Sequence, residues 1–283
     1  MVKIIGIIVV IGSVLAGFML SGGHIMALVH PFEVLTIGGA SLGAFLQANT
    51  GSAFMHVLKK SLSMFGNRFT HAYYLDILKL LYEILNKSRR EGMMSIEGDI
   101  EEPNESPIFS KYPAILKDAR MTAYITDYLR LMSSGNMAPH ELEGLFDMEI
   151  ASIKVDLEHP SHAVSSVADG MPAMGIVAAV MGIVITMGML ADADTQQIGH
   201  SVGAALVGTF LGILASYGFF APLAASLAHD AQEELNVLES IKATLVASAS
   251  GMPPTVAVEF GRKVLYPAHR PSFIELEQAM RGA

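Results

Sequence analysis

Residues 195–229 read TQQIGHSVGAALVGTFLGILASYGFFAPLAASLAH, and this stretch contains no Asp, Glu, Lys or Arg. Three other long stretches, 4–32, 34–58 and 170–191, also contain none of these residues. Crossing a bilayer takes roughly 20 mostly apolar residues. The sequence therefore predicts four membrane spans, which we place near 4–20, 33–50, 172–190 and 200–222.

The composition supports a membrane protein rather than a soluble enzyme. Hydrophobic residues make up 52% of the 283 residues and charged residues only 16%, whereas soluble domains have about 25% charged residues. The apolar start is followed at once by a second apolar stretch, so we interpret it as a span and not as a signal peptide. The absence of cysteine excludes disulfides, and no basic surface suggests a nucleic-acid partner.

The basic residues predict the topology. All 18 lie at Lys3, within 59–154 or within 242–281, and loops on the cytoplasmic side of a membrane carry the excess of Lys and Arg. We expect a multi-pass protein of the bacterial inner membrane with both termini in the cytoplasm. The connections Ser21–Phe32 and Ala191–Gly199 then face outward.

The chain divides into four segments on this interpretation. Residues 1–58 and 172–228 hold the two span pairs, 59–171 form a cytoplasmic helical domain, and 229–283 form a cytoplasmic helical tail. We expect an all-α fold, because apolar residues recur at helical spacing in Ala72–Lys87, Ala114–Met132 and Glu141–Leu157.

Breaks between these helices are also predicted. Residues 101–113 hold three prolines and favour a loop. The fourth span continues as a helix until Gly251-Met252-Pro253-Pro254, and Ser272 with Glu275 predicts a capping box that opens a last helix.

Small residues in the spans predict close helix packing. Glycines four apart share one helix face and let two backbones approach. The favoured interpretation is packing within the chain; packing between subunits is the second, and the two are compatible. The pairs are Gly39 with Gly43, Gly199 with Gly203, and Gly208 with Gly212.

The spans lack an ionisable group at mid-depth. Glu33, Asp192 and Asp194 lie at span edges or in a turn. Buried charges in membranes usually mark ion paths, so the chain either carries no ions or takes the carrier group from a partner. Its deep polar groups are hydroxyls, at Thr186, Thr209, Ser216 and Tyr217.

Three positions in the third and fourth spans have an ordinary and a functional interpretation. Thr209 is expected to bond back to the carbonyl four residues earlier. Pro172 suits a helix start. Pro222 removes one backbone hydrogen bond, frees the carbonyl of Gly218 and predicts a bend that could serve as a hinge.

Residues 205–214, ALVGTFLGIL, followed by Pro222, resemble the signature of the MotA family, the ring-forming stator subunits of the bacterial flagellar motor. The resemblance extends over essentially the whole chain. Other stretches that resemble the family are 172–182 (PAMGIVAAVMG), 87–101, 257–263 (AVEFGRK) and 270–277 (RPSFIELE).

The resemblance implies partners and a driving ion. MotB would supply a membrane aspartate, a MotA pentamer would surround a MotB dimer, and proton transfer at that aspartate would turn the rotor through FliG. The expected surroundings are lipid bilayer and the expected role lies in chemotactic swimming. The family implies no cofactor and no bound metal; protons drive the motor.

The resemblance also assigns roles in the ion path. Pro172 and Pro222 match the family's conformationally important prolines, and Thr209 matches a threonine that lines the path, on which we also place Tyr217. Ala179 stands where sodium-driven relatives carry threonine, which favours protons.

Charged residues of the middle segment match the family's rotor contact. Arg89 and Glu97 match the pair that meets the rotor, although by themselves they would predict only a solvated loop. Arg90 could share this role, as could Glu91 and Asp99, which the sequence does not rank. Glu149 matches another charged position of the family.

Other functions remain open at this point. A TolQ/ExbB-type energy-transducing subunit would be expected to have three spans and another layout. A small solute transporter would bind substrate at broken helices in mid-membrane, and a passive scaffold would bind none. His159 and His162 are three apart, but Pro160 between them and the lack of a third ligand make a metal site unconvincing.

Overall fold

The computed structural model describes residues 2–63, 66, 68–135, 137–189 and 194–281. Within these ranges the chain is helical and contains no strand, which confirms the all-α prediction. The α-helices, in chain order, are α1 (Val2–Leu20), α2 (Pro31–Ala48), α3 (Gly51–Ser63), α4 (His71–Glu91), α5 (Glu97–Glu101), α6 (Pro113–Leu116), α7 (Ala119–Ser133), α8 (Pro139–Gly188), α9 (Thr195–Ala215), α10 (Ala221–Ala249), α11 (Pro254–Val264) and α12 (Phe273–Arg281).

The contacts group the chain into two compact units. We call residues 1–66 with 157–230 the span unit, and residues 67–156 with 231–283 the polar unit. The long helices α8 and α10 contribute residues to both. This grouping assigns 157–171 to the span unit, although the sequence analysis counts those residues with the cytoplasmic segment 59–171.

Four helical segments are long and apolar enough to cross a membrane: Val2–Leu20, Ile25–Ala48, part of Pro139–Gly188 and part of Thr195–Ala249. Helix α9 begins at Thr195, inside the predicted connection Ala191–Gly199. A capping box explains the earlier start, because the Asp194 carboxylate accepts from the Gln197 amide at 2.7 Å. Residues 190–193, including the Asp192 of the sequence analysis, lie outside the described residues.

The core of the span unit joins four helices. Phe45 of α2, Val57 of α3, Val164 of α8 and Leu227 of α10 are all less than 9% exposed and pack together. The sequence analysis does not predict α3, because a helix of 13 residues offers few turns in which helical spacing can stand out.

The core of the polar unit is built around α4. Its inward face carries Tyr74, Leu78, Leu81 and Leu85, each at most 3% exposed, and α4 packs against α11 and α12. This confirms the first predicted amphipathic helix and extends it to Glu91.

The second predicted helix, Ala114–Met132, is wrong in one respect. The chain forms the short α6, leaves helical geometry at Asp118 and starts again as α7. The Asp118 side chain accepts from the Met121 amide at 3.4 Å and so caps the new helix. A local cap overrides the continuous apolar spacing here.

Buried charge in the polar unit is compensated. Glu234 is 2% exposed, and Arg68 and Arg120 each place a guanidinium nitrogen 3.5 Å from its carboxylate. Removing one partner of a buried pair leaves an uncompensated charge and is strongly destabilising. These contacts tie the starts of α4 and α7 to α10.

The predicted breaks near the end of the chain are confirmed. Helix α10 ends at Ala249, and Gly251 has a φ of 86°, a conformation that favours glycine. Ser272 and Glu275 form the expected capping box, with the Ser272 amide donating to the Glu275 carboxylate at 2.7 Å and the Glu275 amide donating to the Ser272 hydroxyl at 3.2 Å.

Gly261 of α11 lies close against α10. A Cβ there would lie 2.7 Å from the Ser240 carbonyl oxygen.

We expect Gly261→Ala to lower the free energy of unfolding by about 1–3 kcal/mol, the usual cost of overpacking a core. Thermal or denaturant unfolding of the detergent-solubilised protein measures this change. Gly144→Ala is the control: nothing described lies within 4 Å of its Cβ position, so that variant should be neutral or stabilised. Equal effects of the two substitutions would contradict the packing.

Candidate functional sites in the two units

Helices α8 and α9 cross with their backbones in contact. A Cβ on Gly175 would lie 2.8 Å from the Gly208 carbonyl oxygen, and a Cβ on Gly212 would lie 2.8 Å from the Met171 carbonyl oxygen. Side chains larger than hydrogen do not fit at these positions without a shift. Packing within the chain is therefore the correct interpretation for Gly208 and Gly212.

The other two glycine pairs make no such close approach. No described atom comes within 4 Å of a Cβ built on Gly39, Gly43, Gly199 or Gly203. Close backbone packing within the chain is therefore not seen at these four glycines, although α2 and α9, which carry them, contact each other. Packing between subunits stays a prediction for them.

Ala179 and Thr209 both lie at the α8–α9 crossing. The Ala179 amide nitrogen lies 3.3 Å from the Cβ position of Gly208, and the Thr209 Cα lies 3.3 Å from the Cβ position of Gly175. Ala179 is 8% exposed, and Thr209 is half-buried. The structure thus brings together two of the residues that the sequence analysis assigns to the ion path.

The Thr209 hydroxyl differs from that of Thr186. Thr186 donates to the Gly182 carbonyl four residues earlier at 2.8 Å, as threonines in membrane helices commonly do. The back-bond expected for Thr209 is not formed, and this hydroxyl has no hydrogen-bond partner in the described part of the chain. Thr209 therefore offers a donor and an acceptor to an incoming group.

Pro172 lies inside α8, so its interpretation as a helix start is wrong. There it leaves a carbonyl without its helical donor, and another helix supplies one. Because proline has no N–H, the Ala168 carbonyl cannot be bonded from four residues later. The Ser216 hydroxyl donates to that oxygen at 2.6 Å, and Ser216 is 1% exposed. The hydrogen bond joins α8, one turn before its proline, to the end of α9.

The irregular turn before Pro222 is a π-helix. Residues Ser216–Phe220 form it, and the Ala221 amide donates to the Ser216 carbonyl five residues earlier. The sequence analysis predicts a bend at Pro222 and misses the wider turn that precedes it. Pro222 was a sequence signal for such a turn, because a proline inside a long helix disturbs the backbone hydrogen bonds before it. π-helical turns are also frequent at functional sites.

Tyr217 and Pro222 are not brought to the α8–α9 crossing surface. Tyr217 is 69% exposed and Pro222 is also exposed. Both therefore lie on the outside of this single chain, where lipid or another chain would contact them. Their assignment to the ion path stays a prediction that requires a neighbouring chain.

Glu33 is an acidic residue at the edge of the second predicted span. It lies in the first turn of α2, and its side chain is 16% exposed. One carboxylate oxygen lies 3.8 Å from Nδ1 of His30, at the limit of an ion pair. The mid-depth parts of the predicted spans hold hydroxyls and no carboxylate.

In the polar unit, Arg89 and Arg90 occupy the last turn of α4 and Glu97 the first turn of α5, and all three are exposed. The stretch is therefore a helix end, a tight turn at Gly92 with φ 90° and a new helix, rather than an extended loop. Arg89, Arg90 and Glu97 have no ion-pair or hydrogen-bond partner among the described residues.

The structure ranks the neighbouring acids, which the sequence could not. Asp99 is 4% exposed, and its carboxylate accepts from Lys87 at 2.8 Å and from the Ser106 hydroxyl at 2.5 Å. It holds the segment together and is not open to a partner. Glu91 is exposed.

Glu149 is exposed on α8 and lies near Tyr128. Burial of Tyr128 and then the nearby Glu149 carboxylate raise the pKa of that phenol. A role of Glu149 towards a partner stays a prediction.

Comparison with known proteins gives a consistent result. Residues 4–92 match the family model "Motility protein A N-terminal", and residues 117–240 match the model "MotA/TolQ/ExbB proton channel family". Motility protein A of Salmonella typhimurium is 46% identical over all of this chain and 96% of its own length.

Two solved structures have the same fold. The MotAB structure of C. jejuni gives a TM-score of 0.76 at 16% identity and covers 93% of this chain and 95% of its own. The flagellar MotAB stator complex of Bacillus subtilis gives 0.73 at 20% identity, with 90% and 92% covered.

The Ser216–Ala168 hydrogen bond predicts a dependence of Ser216 on Pro172. We expect Ser216→Ala to cost about 0.6–1.7 kcal/mol, the range for hydrogen bonds between membrane helices. In a Pro172→Ala background the restored N–H can bond Ala168, so the same substitution should cost much less. A double-mutant cycle on unfolding in mixed micelles measures this coupling. Thr186→Ala, whose hydroxyl bonds within its own helix, should show no coupling to Pro172. Equal costs for Ser216→Ala in both backgrounds would refute the compensation.

Proposed function

This chain belongs to the MotA family, the stator subunits of the flagellar motor within the MotA/TolQ/ExbB proton channels, and we propose that it forms with MotB a complex that converts proton flow into rotation. The TolQ/ExbB alternative is disfavoured by four span-length helices and by relatives named Motility protein A. The two solved structures compared above are described as MotAB.

The observation that carries the proposal is the combination of a close α8–α9 crossing with the absence of a carboxylate at mid-depth. A chain that carried protons by itself would be expected to hold an ionisable group in its spans. The Thr209 hydroxyl is available there, but a hydroxyl alone does not titrate near neutral pH. As the family resemblance implies, the titrating group in our proposal is the aspartate in the single span of MotB.

The physics of that aspartate explains the driving step. Burial in apolar surroundings raises the pKa of a carboxylate, so the neutral form is favoured beside the spans and the charged form where water enters. Each proton that crosses releases about 2.3 kcal/mol per 100 mV of membrane potential. The two forms bind the ring differently, and the ring turns as they alternate.

Pro172, Ser216 and the π-turn form the moving part of this proposal. The Ser216–Ala168 hydrogen bond links α8 to the end of α9, and the π-turn connects α9 to α10. A change in helix direction at Pro172 or Pro222 alters the course of α8 or α10, the helices that contain these prolines.

The charges that reach the rotor protein FliG are Arg89, Arg90 and Glu97. They are exposed, and their charges are not compensated within the described chain. The polar unit holds most of the basic residues, which supports its location in the cytoplasm. Five copies around two MotB chains complete the proposed stator.

Reversing the charge of Arg89 tests the rotor contact. We expect Arg89→Glu to weaken binding of the purified stator to FliG about tenfold or more, because attraction becomes repulsion, and to slow swimming. Membrane level and co-purification with MotB should not change. Lys117→Glu, a reversal at another exposed cation of the polar unit, serves as the control. Swimming and binding that match the control would remove Arg89 from the contact.

The identity of the driving ion follows from Ala179. Alanine offers no oxygen to replace the water shell of sodium, so we expect motor speed to follow the proton gradient and to be unchanged by sodium. Tethered-cell rotation, measured across external pH and across sodium concentration at constant ionic strength, gives the answer. Speed that rises with sodium would overturn the assignment.

A further inference from the structure

A groove opens beside the first turns of α1, within the span unit. Its volume is about 520 Å³, and α1, the end of α3, the π-turn and the start of α10 line it. Ile7, Leu58, Phe219 and Pro222 are among its apolar residues, and Lys3 alone is charged among the described residues that line it. We call this feature the α1 groove.

A second apolar cavity adjoins the α1 groove. Its volume is about 350 Å³, and none of the described residues that line it is charged. The two cavities share four lining residues, Leu58, Ser61, Phe220 and Leu223. A phospholipid carries two acyl chains side by side, so two adjoining apolar cavities offer one place for each chain.

Helix α3, which lines both cavities, has the pattern of a helix at a membrane surface. Phe54, Val57, Leu58 and Ser61 recur at helical spacing, and all four line the second cavity. Lys59 is exposed and lies on the opposite face by the same spacing. Amphipathic helices with this division of apolar and basic residues lie in the interface, at the depth of the lipid headgroups.

The charged groups at the mouth of the α1 groove are mainly basic. The Lys3 ammonium lies 3.7 Å from the Asp230 carboxylate. Burial raises the pKa of Asp230, whereas Lys3 and then Lys60 act to lower it, so both ammonium groups lie near this acid. Two lysines therefore face one carboxylate. The acids of α8 in the span unit, Glu158 and Asp169, line neither cavity.

The position of these lysines along the chain selects an anionic lipid. Lys3 precedes the first predicted span and Lys60 follows the second, which puts both at the cytoplasmic surface in the predicted topology. Lipids of that leaflet are partly anionic, and basic pockets between spans on that side bind anionic headgroups. A phosphate accepts hydrogen bonds from both ammonium groups, whereas an apolar helix of a second chain would cover Lys3 without a partner for it.

We propose that the α1 groove and the adjoining cavity bind one anionic phospholipid of the cytoplasmic leaflet. The phosphate lies at Lys3 and Lys60, and the acyl chains lie against Ile7, Leu58 and Phe220. One chain then packs on the π-turn and on Pro222, which are part of the α1 groove. This inference uses the predicted topology and goes beyond the motor function.

The test uses the complex purified from membranes through this chain and placed in nanodiscs of phosphatidylcholine. The probe is a trace of phosphatidylglycerol with a photoreactive diazirine in one acyl chain. We expect crosslinks that map to α1, to the end of α3 and to the π-turn. Replacing part of the phosphatidylcholine with unlabelled phosphatidylglycerol should halve the crosslinking at a mole fraction about fivefold lower than phosphatidylethanolamine requires.

The lysines should control this preference. A basic residue near the surface contributes to anionic lipid binding an amount equal to about a fivefold change in affinity. We expect Lys3→Gln and Lys60→Gln each to raise the mole fraction of phosphatidylglycerol for half competition about fivefold, with phosphatidylethanolamine unchanged. Lys59→Gln is the matched control on the opposite face of α3, and it should behave like the unchanged complex.

A second variant fills the groove without changing charge. Gly6 lines the α1 groove, and no described atom lies within 4 Å of a Cβ built there. We expect Gly6→Leu to remove the groove crosslinks at least tenfold while the mass of the purified complex stays the same. Gly12 is equally open and does not line the groove, so Gly12→Leu should keep the crosslinks.

Four results would overturn the lipid site. The first is crosslinking spread evenly over the spans, and the second is equal competition by the two unlabelled lipids. The third is an effect of Lys59→Gln as large as that of Lys3→Gln. The fourth is a complex of lower mass for Gly6→Leu but not for Gly12→Leu, because that result assigns the groove to another protein chain.

Discussion

A backbone group that is buried away from water must find a hydrogen-bond partner within the protein. Pro172 removes the helical donor of the buried Ala168 carbonyl, and the Ser216 hydroxyl replaces it from the neighbouring helix. The repair requires α8 and α9 to lie close together. Gly175 and Gly212 permit this approach by having no side chain at the crossing. The hydrogen bond that compensates for Pro172 therefore requires the Ser216 hydroxyl, and it also requires glycines at the crossing that let the two helices approach.

The two units satisfy different physical conditions. In the span unit, apolar side chains remain exposed because lipid is their solvent, and hydroxyls are the deep polar groups. In the polar unit, Tyr74 and its neighbours are buried as in any soluble domain, and Glu234 is compensated by two arginines. Arg89, Arg90 and Glu97 are exposed and have no partner among the described residues, and on this basis we propose that they meet another molecule.

Much of the fold could be predicted from sequence patterns that span only a few residues. The uncharged stretches predicted the four spans, helical spacing predicted α4, and the Ser272–Glu275 pair predicted the last capping box. Each of these features depends on residues that are close together in the chain. The Ser216–Ala168 bond joins residues 48 apart, and the burial of Asp99 depends on helix packing. No spacing rule predicts either. The start of α7 was missed because one cap at Asp118 outweighed an apolar pattern, and the roles of Tyr217 and Pro222 depend on chains that a single sequence does not contain.

The central claim is that this chain lacks the proton-binding group of its own channel and takes it from MotB. Proton flux into liposomes under an imposed potential tests this directly, with the chain reconstituted alone, with MotB, and with a MotB whose membrane aspartate is replaced by asparagine. We expect flux only for the chain reconstituted with unchanged MotB. Flux through the chain alone, or undiminished flux with the asparagine variant, would contradict it.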